Sequence, residues 1–331
     1  MGNLSDAQVE AALKAVESDD ATPEEKAEML MEMAMGLQHK PKSGKQIEDA
    51  VELYERAIEL CPSGAVLLRS RVLARQATAL RSLPFSGNQH LYKAQDNLAE
   101  ALKTFSQLEL KEEAAETELN LGLISQSLSQ TGGGKLTDAI QHYHNALRTF
   151  NKDDYPQDFA ILHNNLAIAY LSMPMSDERA KMREALAVQS FEEVLKVINI
   201  VDQPSEYAMI QNNLGNALQY ASTSHALANN LRAIEAYDEA LRVRNPRDTP
   251  MEYANTIANK ANVLRNLPDD PENIGGGNAQ NLRKSRELYI EARTIFMQFG
   301  QMEGVRNIDE TLLEIDGEMA HAATAGNGSI N

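Results

Sequence analysis

The stretch ILHNNLAIAYLSMP, residues 161–174, places Leu166, Ala167 and Tyr170 where a helix would turn them toward a core. Two adjacent amides, Asn164 and Asn165, sit in its middle. Asparagine is a poor helix former because its side chain competes for backbone hydrogen bonds. IQNNLGNAL at 210–218 repeats the arrangement, so the amides have to be explained together with the period.

The stretch recurs along the chain. AMIQNNLGNALQYAS (208–222) and NTIANKANVLRNLP (255–268) follow it. ETELNLGLISQSLS (116–129), RVLARQATALRSLP (71–84) and EMLMEMAMGLQHKP (28–41) precede it. The place of Asn165 falls in turn on Glu32, Arg75, Asn120, Asn165, Asn213 and Asn259, at spacings of 43, 45, 45, 48 and 46 residues. A second pattern follows each copy: AVELYERAIEL (50–60), AQDNLAEALKTF (94–105), AIQHYHNALRTF (139–150), AVQSFEEVLKVI (187–198), AIEAYDEALRV (233–243) and SRELYIEARTIF (285–296). A small residue, a large apolar one at +4 and usually Ala at +7 keep one stripe facing a neighbour. The unit is therefore two helices, A then B, about six times over.

This pattern resembles the tetratricopeptide repeat (TPR) family over roughly residues 22–300. His163, Leu166, Ala167 and Tyr170 occupy the family's helix A positions, with His163 a departure at the first. Ala50, Tyr54, Ala57 and Pro62 match its helix B positions in full. The units exceed the family's 34 residues, in a style similar to kinesin-light-chain-type repeats with their Pro–acid lead-ins, here YPQDFA, QPSEYA and TPMEYA. Such lead-ins suit helix starts, where a missing N–H costs nothing and the dipole favours a carboxylate. The resemblance implies an all-α, right-handed superhelical solenoid of about six helix pairs with capping helices. The expected organisation is an N-terminal helix in 1–21, the array in 22–300, a capping helix in 301–322 and a disordered tail in 323–331. Thr22-Pro23-Glu24-Glu25 reads as a capping box that opens the array.

At 100° per residue the positions of His163, Leu166, Ala167 and Tyr170 share one side of helix A, and those of Ile161, Asn165, Ile168 and Ser172 the other. In a TPR-like stack the second set faces the concave groove. Repeat one places Glu28, Glu32, Met35 and His39 there; repeat two Arg71, Arg75, Thr78 and Ser82; repeat three Glu116, Asn120, Leu123 and Ser127. Repeat five gives Met209, Asn213, Asn216 and Tyr220, and repeat six Asn255, Asn259, Asn262 and Asn266. An asparagine amide carries a donor and an acceptor together, which suits the backbone of an extended peptide. The candidate partner-binding residues are Arg71, Arg75, Asn120, Asn164, Asn165, Asn212, Asn213, Asn216, Asn255, Asn259, Asn262 and Asn266. An idle solvated face is the competing reading, although Ser, Gln, Lys or Glu would serve such a face better. The family's carboxylate clamp for chaperone tails needs cations beside the asparagine, and Leu119, Asn164, Asn212 and Ala258 stand there instead. Only Arg71 and Arg75 remain to take one carboxylate.

Composition narrows the function. With 48 acids against 31 bases the net charge is −17, which argues against nucleic-acid binding and favours basic partners. A single cysteine, Cys61, and an acidic N-terminus without an apolar signal region point to a reducing, cytoplasmic setting. No apolar run is long enough for a bilayer. TGGGK (131–135) has Ser129 where a phosphate loop has its first glycine, and Leu136 after the lysine, so a turn is expected. Seven scattered histidines offer no metal spacing, and no nucleophile–base pair stands out. Within MLMEMAM (29–35), Met29 and Met33 fall on the core side, and Met31 and Met35 near the groove, as core filling or as an adaptable apolar patch. The expectation is a non-catalytic adaptor, scaffold or assembly chaperone that holds a protein or peptide segment, without cofactor, metal or small-molecule substrate. The alternative is a peptide-sensing regulatory protein of the same repeat type.

Overall fold

The computed structural model describes Val16, residues 21–83, 87–173, 179–221, 225–273 and 277–327, with side chains up to residue 321. The described residues form thirteen helices: α1 (Pro23–His39), α2 (Gly44–Leu60), α3 (Val66–Arg81), α4 (Gln89–Gln107), α5 (Lys111–Gln130), α6 (Leu136–Ala146), α7 (Pro156–Ser172), α8 (Ala180–Val194), α9 (Pro204–Tyr220), α10 (Ala226–Leu241), α11 (Pro250–Arg265), α12 (Ala279–Gln298) and α13 (Met302–Asn327). Odd-numbered helices from α1 to α11 are the expected A helices and even-numbered ones the B helices, so the fold is an all-α, TPR-like helical repeat. Contacts divide the chain into two compact units, residues 1–162 and 163–331, with the boundary inside α7. Among the described residues no helix is long and apolar enough to cross a membrane.

Within residues 1–162, α1 packs on α2, α3 on α4 and α5 on α6, and each pair stacks on the next. Within residues 163–331 the same holds for α9 with α10, α11 with α12, and α13 against α12. Within each unit, hydrophobic clusters lie between successive helices. One joins α1, α2 and α3 and includes Val16. A second joins α3, α4 and α5. A third joins α11, α12 and α13.

The residues that build these clusters are those of the A and B templates. Ala50, Tyr54 and Ala57 are fully enclosed, as are Ala94, Leu98 and Ala101, Ala139, Tyr143 and Ala146, and Ala233, Tyr237 and Ala240. On the A helices the small position is Ala34, Ala77, Ala167 or Ala261, and glycine in two repeats, Gly122 and Gly215. Those two glycines have a steric reason. A Cβ on Gly122 would lie 2.3 Å from the Tyr143 ring, and one on Gly215 2.5 Å from the Tyr237 ring.

The helix ends follow local chemistry. Thr22 and Glu25 close the capping box: Glu25 N–H donates to Thr22 Oγ1 at 3.3 Å and Thr22 N–H to Glu25 Oε2 at 2.8 Å. Pro204 and Pro250 occupy first-turn positions of α9 and α11, with Glu206 and Glu252 beside them. The 139–150 and 187–198 patterns outlast their helices. Beyond Ala146 and Val194 the chain tightens into i→i+3 turns, such as Thr149 N–H to Ala146 O at 3.0 Å and Val197 N–H to Val194 O at 3.0 Å. At the other end α13 runs on to Asn327, past the expected limit of 322, through the alanine-rich AHAATA segment (320–325) that favours helix. The N-terminal helix expected in 1–21 lies outside the described residues except for Val16 and Ala21.

Between helix B and the next helix A the chain uses one joint three times. In NKDDYP (151–156), Asn151 Oδ1 accepts from the N–H groups of Asp153 and Asp154, both at 3.0 Å, and its Nδ2 donates to Asp154 Oδ2 at 2.8 Å. Asn199 does the same with Val201 and Asp202 in NIVDQP (199–204). Asn245 does so with Arg247 and Asp248 in NPRDTP (245–250). Each joint is an Asx-turn with proline two residues after the aspartate, which feeds the chain into the next helix.

Two expectations follow. Gly122→Ala and Gly215→Ala each overpack a buried tyrosine at about 1–3 kcal/mol, more than the roughly 1 kcal/mol that helix propensity returns. Gly36→Ala, with open space around the new Cβ, instead raises the urea midpoint. Asn199→Ala removes three hydrogen bonds, costs about 1–2 kcal/mol, and strips hydrogen-exchange protection from the Val201 and Asp202 amides in particular.

Candidate functional site

The face of the A helices opposite the core is open in every repeat. None of the positions aligned with Ile161, Asn165, Ile168 and Ser172 is buried, from Glu28, Glu32, Met35 and His39 in α1 to Asn255, Asn259, Asn262 and Asn266 in α11. The position aligned with Ile161 is exposed throughout, and there it carries Glu28, Arg71, Glu116, Ile161, Met209 and Asn255. What each side chain does on this face differs between the two units.

In residues 1–162 the face gathers into a pocket of about 180 Å³. Glu32, Arg75 and Asn120, the residues aligned with Asn165 in the first three repeats, all line it, with Met31, Met35, Ala74 and Phe105 as apolar lining. Met31 and Met35 therefore do both things weighed for them: they pack against the first core cluster and form pocket wall. Met29, expected on the core side, is instead 41% exposed, although the aligned Val72 and Ile210 of later repeats are buried. The two arginines are engaged. Arg71 donates through Nε at 2.8 Å and Nη2 at 2.7 Å to Glu113 Oε1. Arg75 Nη1 lies 3.4 Å from Glu116 Oε1. Asn120 Nδ2 donates back to Glu116 O of its own helix at 3.0 Å. Glu32 has no partner among the described residues. Behind this wall the phenol of Tyr54 donates to Gln38 Oε1 at 3.0 Å, and Gln38 Nε2 donates to Thr78 Oγ1 at 2.7 Å, so helix B is tied to two successive A helices. Burial pushes the Tyr54 phenol well above its usual range.

In residues 163–331 the asparagines divide into two kinds. Asn212 is buried between α9 and α11, where its Oδ1 accepts from Thr256 Oγ1 at 3.2 Å and from Asn259 Nδ2 at 3.4 Å. Asn216 accepts the phenol of the fully buried Tyr237 at 2.7 Å, as Gln126 accepts that of Tyr143 at 2.8 Å in repeat three. Asn266 Nδ2 donates to Asn262 O at 3.0 Å. Asn212, Asn216 and Asn259 hold neighbouring helices together, whereas Asn266 bonds within its own helix. Asn165, Asn213, Asn255 and Asn262 form the other group, whose amides have no hydrogen-bond partner among the described residues and all of which keep contact with solvent. Asn164 Oδ1 is enclosed without a partner; the residue aligned with Thr256 in the next repeat is Ile210, which brings no hydroxyl. Beside Asn213, Met209 is 41% exposed and Tyr220 60% exposed.

At the end of this unit Arg265 reaches Glu314 of α13 at 2.8 Å, and also Glu318. The TGGGK turn spends its amides on α5: Gly133 N–H donates to Leu128 O at 2.8 Å and Gly132 N–H to Ser129 O at 3.2 Å. Among the described residues there is no group of three His, Cys, Asp or Glu side chains that could hold a metal ion.

No protein-family model matches this sequence, and no curated protein is a significant match to it. Among solved structures, the chain is similar to the TPR2AB domain of yeast Sti1 in complex with pHSP90, at 17% identity over 88% of this chain and 98% of that one, with a TM-score of 0.29. It is also similar to a Rap protein complexed with Competence and Sporulation Factor, at 15% identity over 95% and 86%, with a TM-score of 0.39. Human IFIT1, as a dimer with PPP-AAAA, matches at 17% identity over 94% of this chain and 68% of that one, with a TM-score of 0.45. All three superpositions are loose, so the chemistry of the face rests on this chain's own residues.

The two kinds of asparagine separate by mutation. Asn216→Ala leaves the Tyr237 hydroxyl buried without an acceptor and costs about 1–3 kcal/mol in urea unfolding. Asn213→Ala stays within about 0.5 kcal/mol of wild type because no protein hydrogen bond is lost.

Proposed function

We propose that this protein is a non-catalytic binding module, an adaptor, scaffold or assembly chaperone, that holds an extended segment of another protein against the open face of its A helices. The observation that carries this reading is the set of partnerless amides at Asn165, Asn213, Asn255 and Asn262. Asparagine in a helix costs several tenths of a kcal/mol relative to alanine, and at these places no internal hydrogen bond offsets it. Each amide presents one acceptor and two donors, which match the C=O and N–H of a peptide backbone whatever its side chains. Met209 and Tyr220 offer apolar contact beside them. The net charge of −17 favours a polypeptide over a phosphate backbone, whose binding draws on clustered Lys and Arg.

Selection of a displayed random-peptide library on the intact protein tests this reading. Peptides are expected to emerge with micromolar affinity and to lose at least about tenfold on the Asn165→Ala, Asn213→Ala, Asn262→Ala triple variant, since three hydrogen bonds at about 0.5–1.5 kcal/mol each are removed. A library that yields no binder, or binders equally tight on both proteins, overturns it.

A further inference from the structure

The pocket in residues 1–162 has a charge pattern that selects among occupants. Its cations are both used: Arg71 is held side-on by Glu113, and Arg75 faces Glu116. A carboxylate or phosphate entering here would have to displace those acids and approach Glu32 as well. Glu32 is left over, exposed and without a partner among the described residues, on a helix that also carries Glu28 one turn earlier on the same face. With Glu32, Glu113 and Glu116 against Arg71 and Arg75, the lining carries a net charge of −1. The wall beside Glu32 is apolar and deformable, built from Met31, Met35 and Phe105. Thioethers suit such a wall because the unbranched methionine side chain adapts to its contact.

An anion on an apolar wall is complementary to one kind of side chain, a long aliphatic stem with a positive end. Lysine and arginine lay their methylenes along apolar surface and keep the charged head at its rim. We propose that this pocket receives a lysine or arginine side chain of a protein partner, with its stem on Met31, Met35 and Phe105 and its cation on Glu32, and with the Glu116 carboxylate within the same lining. The assignment rests on the open A-helix face being the partner surface. It adds a side-chain preference in residues 1–162 to the backbone recognition assigned to the asparagines. The preference is for basic segments, the sign opposite to that of a carboxylate-binding groove.

The test uses single-residue probes, so that it stands apart from the library selection. The intact protein carries ¹³C-methyl methionine, and the Met31 and Met35 signals, assigned by Met31→Leu and Met35→Leu, are followed during titration with N-acetyl-arginine amide, N-acetyl-lysine amide and N-acetyl-glutamine amide. The basic probes are expected to shift both methyls saturably in the millimolar range and the neutral probe not to. Glu32→Gln, an exposed change that leaves the fold intact, is expected to weaken the basic probes about fivefold, the upper end for an exposed ion pair, and added salt to weaken them on wild type. Equal shifts with the glutamine probe, no saturable shift up to 50 mM (an order-of-magnitude ceiling for a single exposed ion pair), or unchanged affinity in Glu32→Gln would overturn the assignment. If library peptides bind in an asparagine-dependent way while these probes fail, the pocket assignment falls and the binding function stands. If the probes bind and the library yields nothing, the pocket's preference for a basic side chain stands and the asparagine-based backbone recognition falls.

Discussion

Everything in this protein depends on one contact repeated from pair to pair, a large helix B side chain seated against a small residue of helix A. Tyr54, Leu98, Tyr143, Phe191 and Tyr237 are buried at this place with alanines beside them on their own helices. Alanine or glycine on the facing helix lets the two backbones come close enough for the ring to fill the space between them. Where glycine is used, at Gly122 and Gly215, the ring occupies the volume a methyl group would need. Close packing on one side of helix A then determines what remains on the other. The residues turned away from the B helix have no core to serve, so they are free to carry charge, amide or thioether.

The tyrosines do more than fill space. Each needs an acceptor for a hydroxyl placed in an apolar setting, and the A helix supplies an amide: Gln38 for Tyr54, Gln126 for Tyr143 and Asn216 for Tyr237. This links core to surface, because the acceptor lies at the edge of the open face. It also explains why an amide-rich face is not uniformly available. Some amides complete the interior, others bridge neighbouring A helices, and the remainder point outward with nothing to hold.

Much of this was legible in the sequence. The six-fold alignment identified the enclosed residues of the B template, since burial on a helix face leaves a periodic trace. It also identified the open face, where no aligned position is buried. What alignment could not supply was the partner of each side chain. Arg71 and Arg75 read as available cations, yet Glu113 and Glu116, 42 and 41 residues later, neutralise them from the next A helix, at a separation where only three-dimensional stacking reveals the pair. Asn216 read as outward for the same reason, because its partner Tyr237 comes from another helix. The N-x-x-D-x-P joint is present three times in plain view, but only its proline reads as part of a helix start, and the asparagine and aspartate that organise the turn leave no trace in the helix periodicity.

That joint has a further consequence. The segments from Asn151 to Asn199 and from Asn199 to Asn245 begin and end with the same hydrogen-bonded turn, so each is a cassette with matching connectors. Duplicating or excising one such cassette would restore an identical junction at the seam and return the chain to an unaltered helix A. An array built in this way can change its length by recombination without designing a new connection, and its reach along a partner becomes a variable separate from the chemistry of any single repeat.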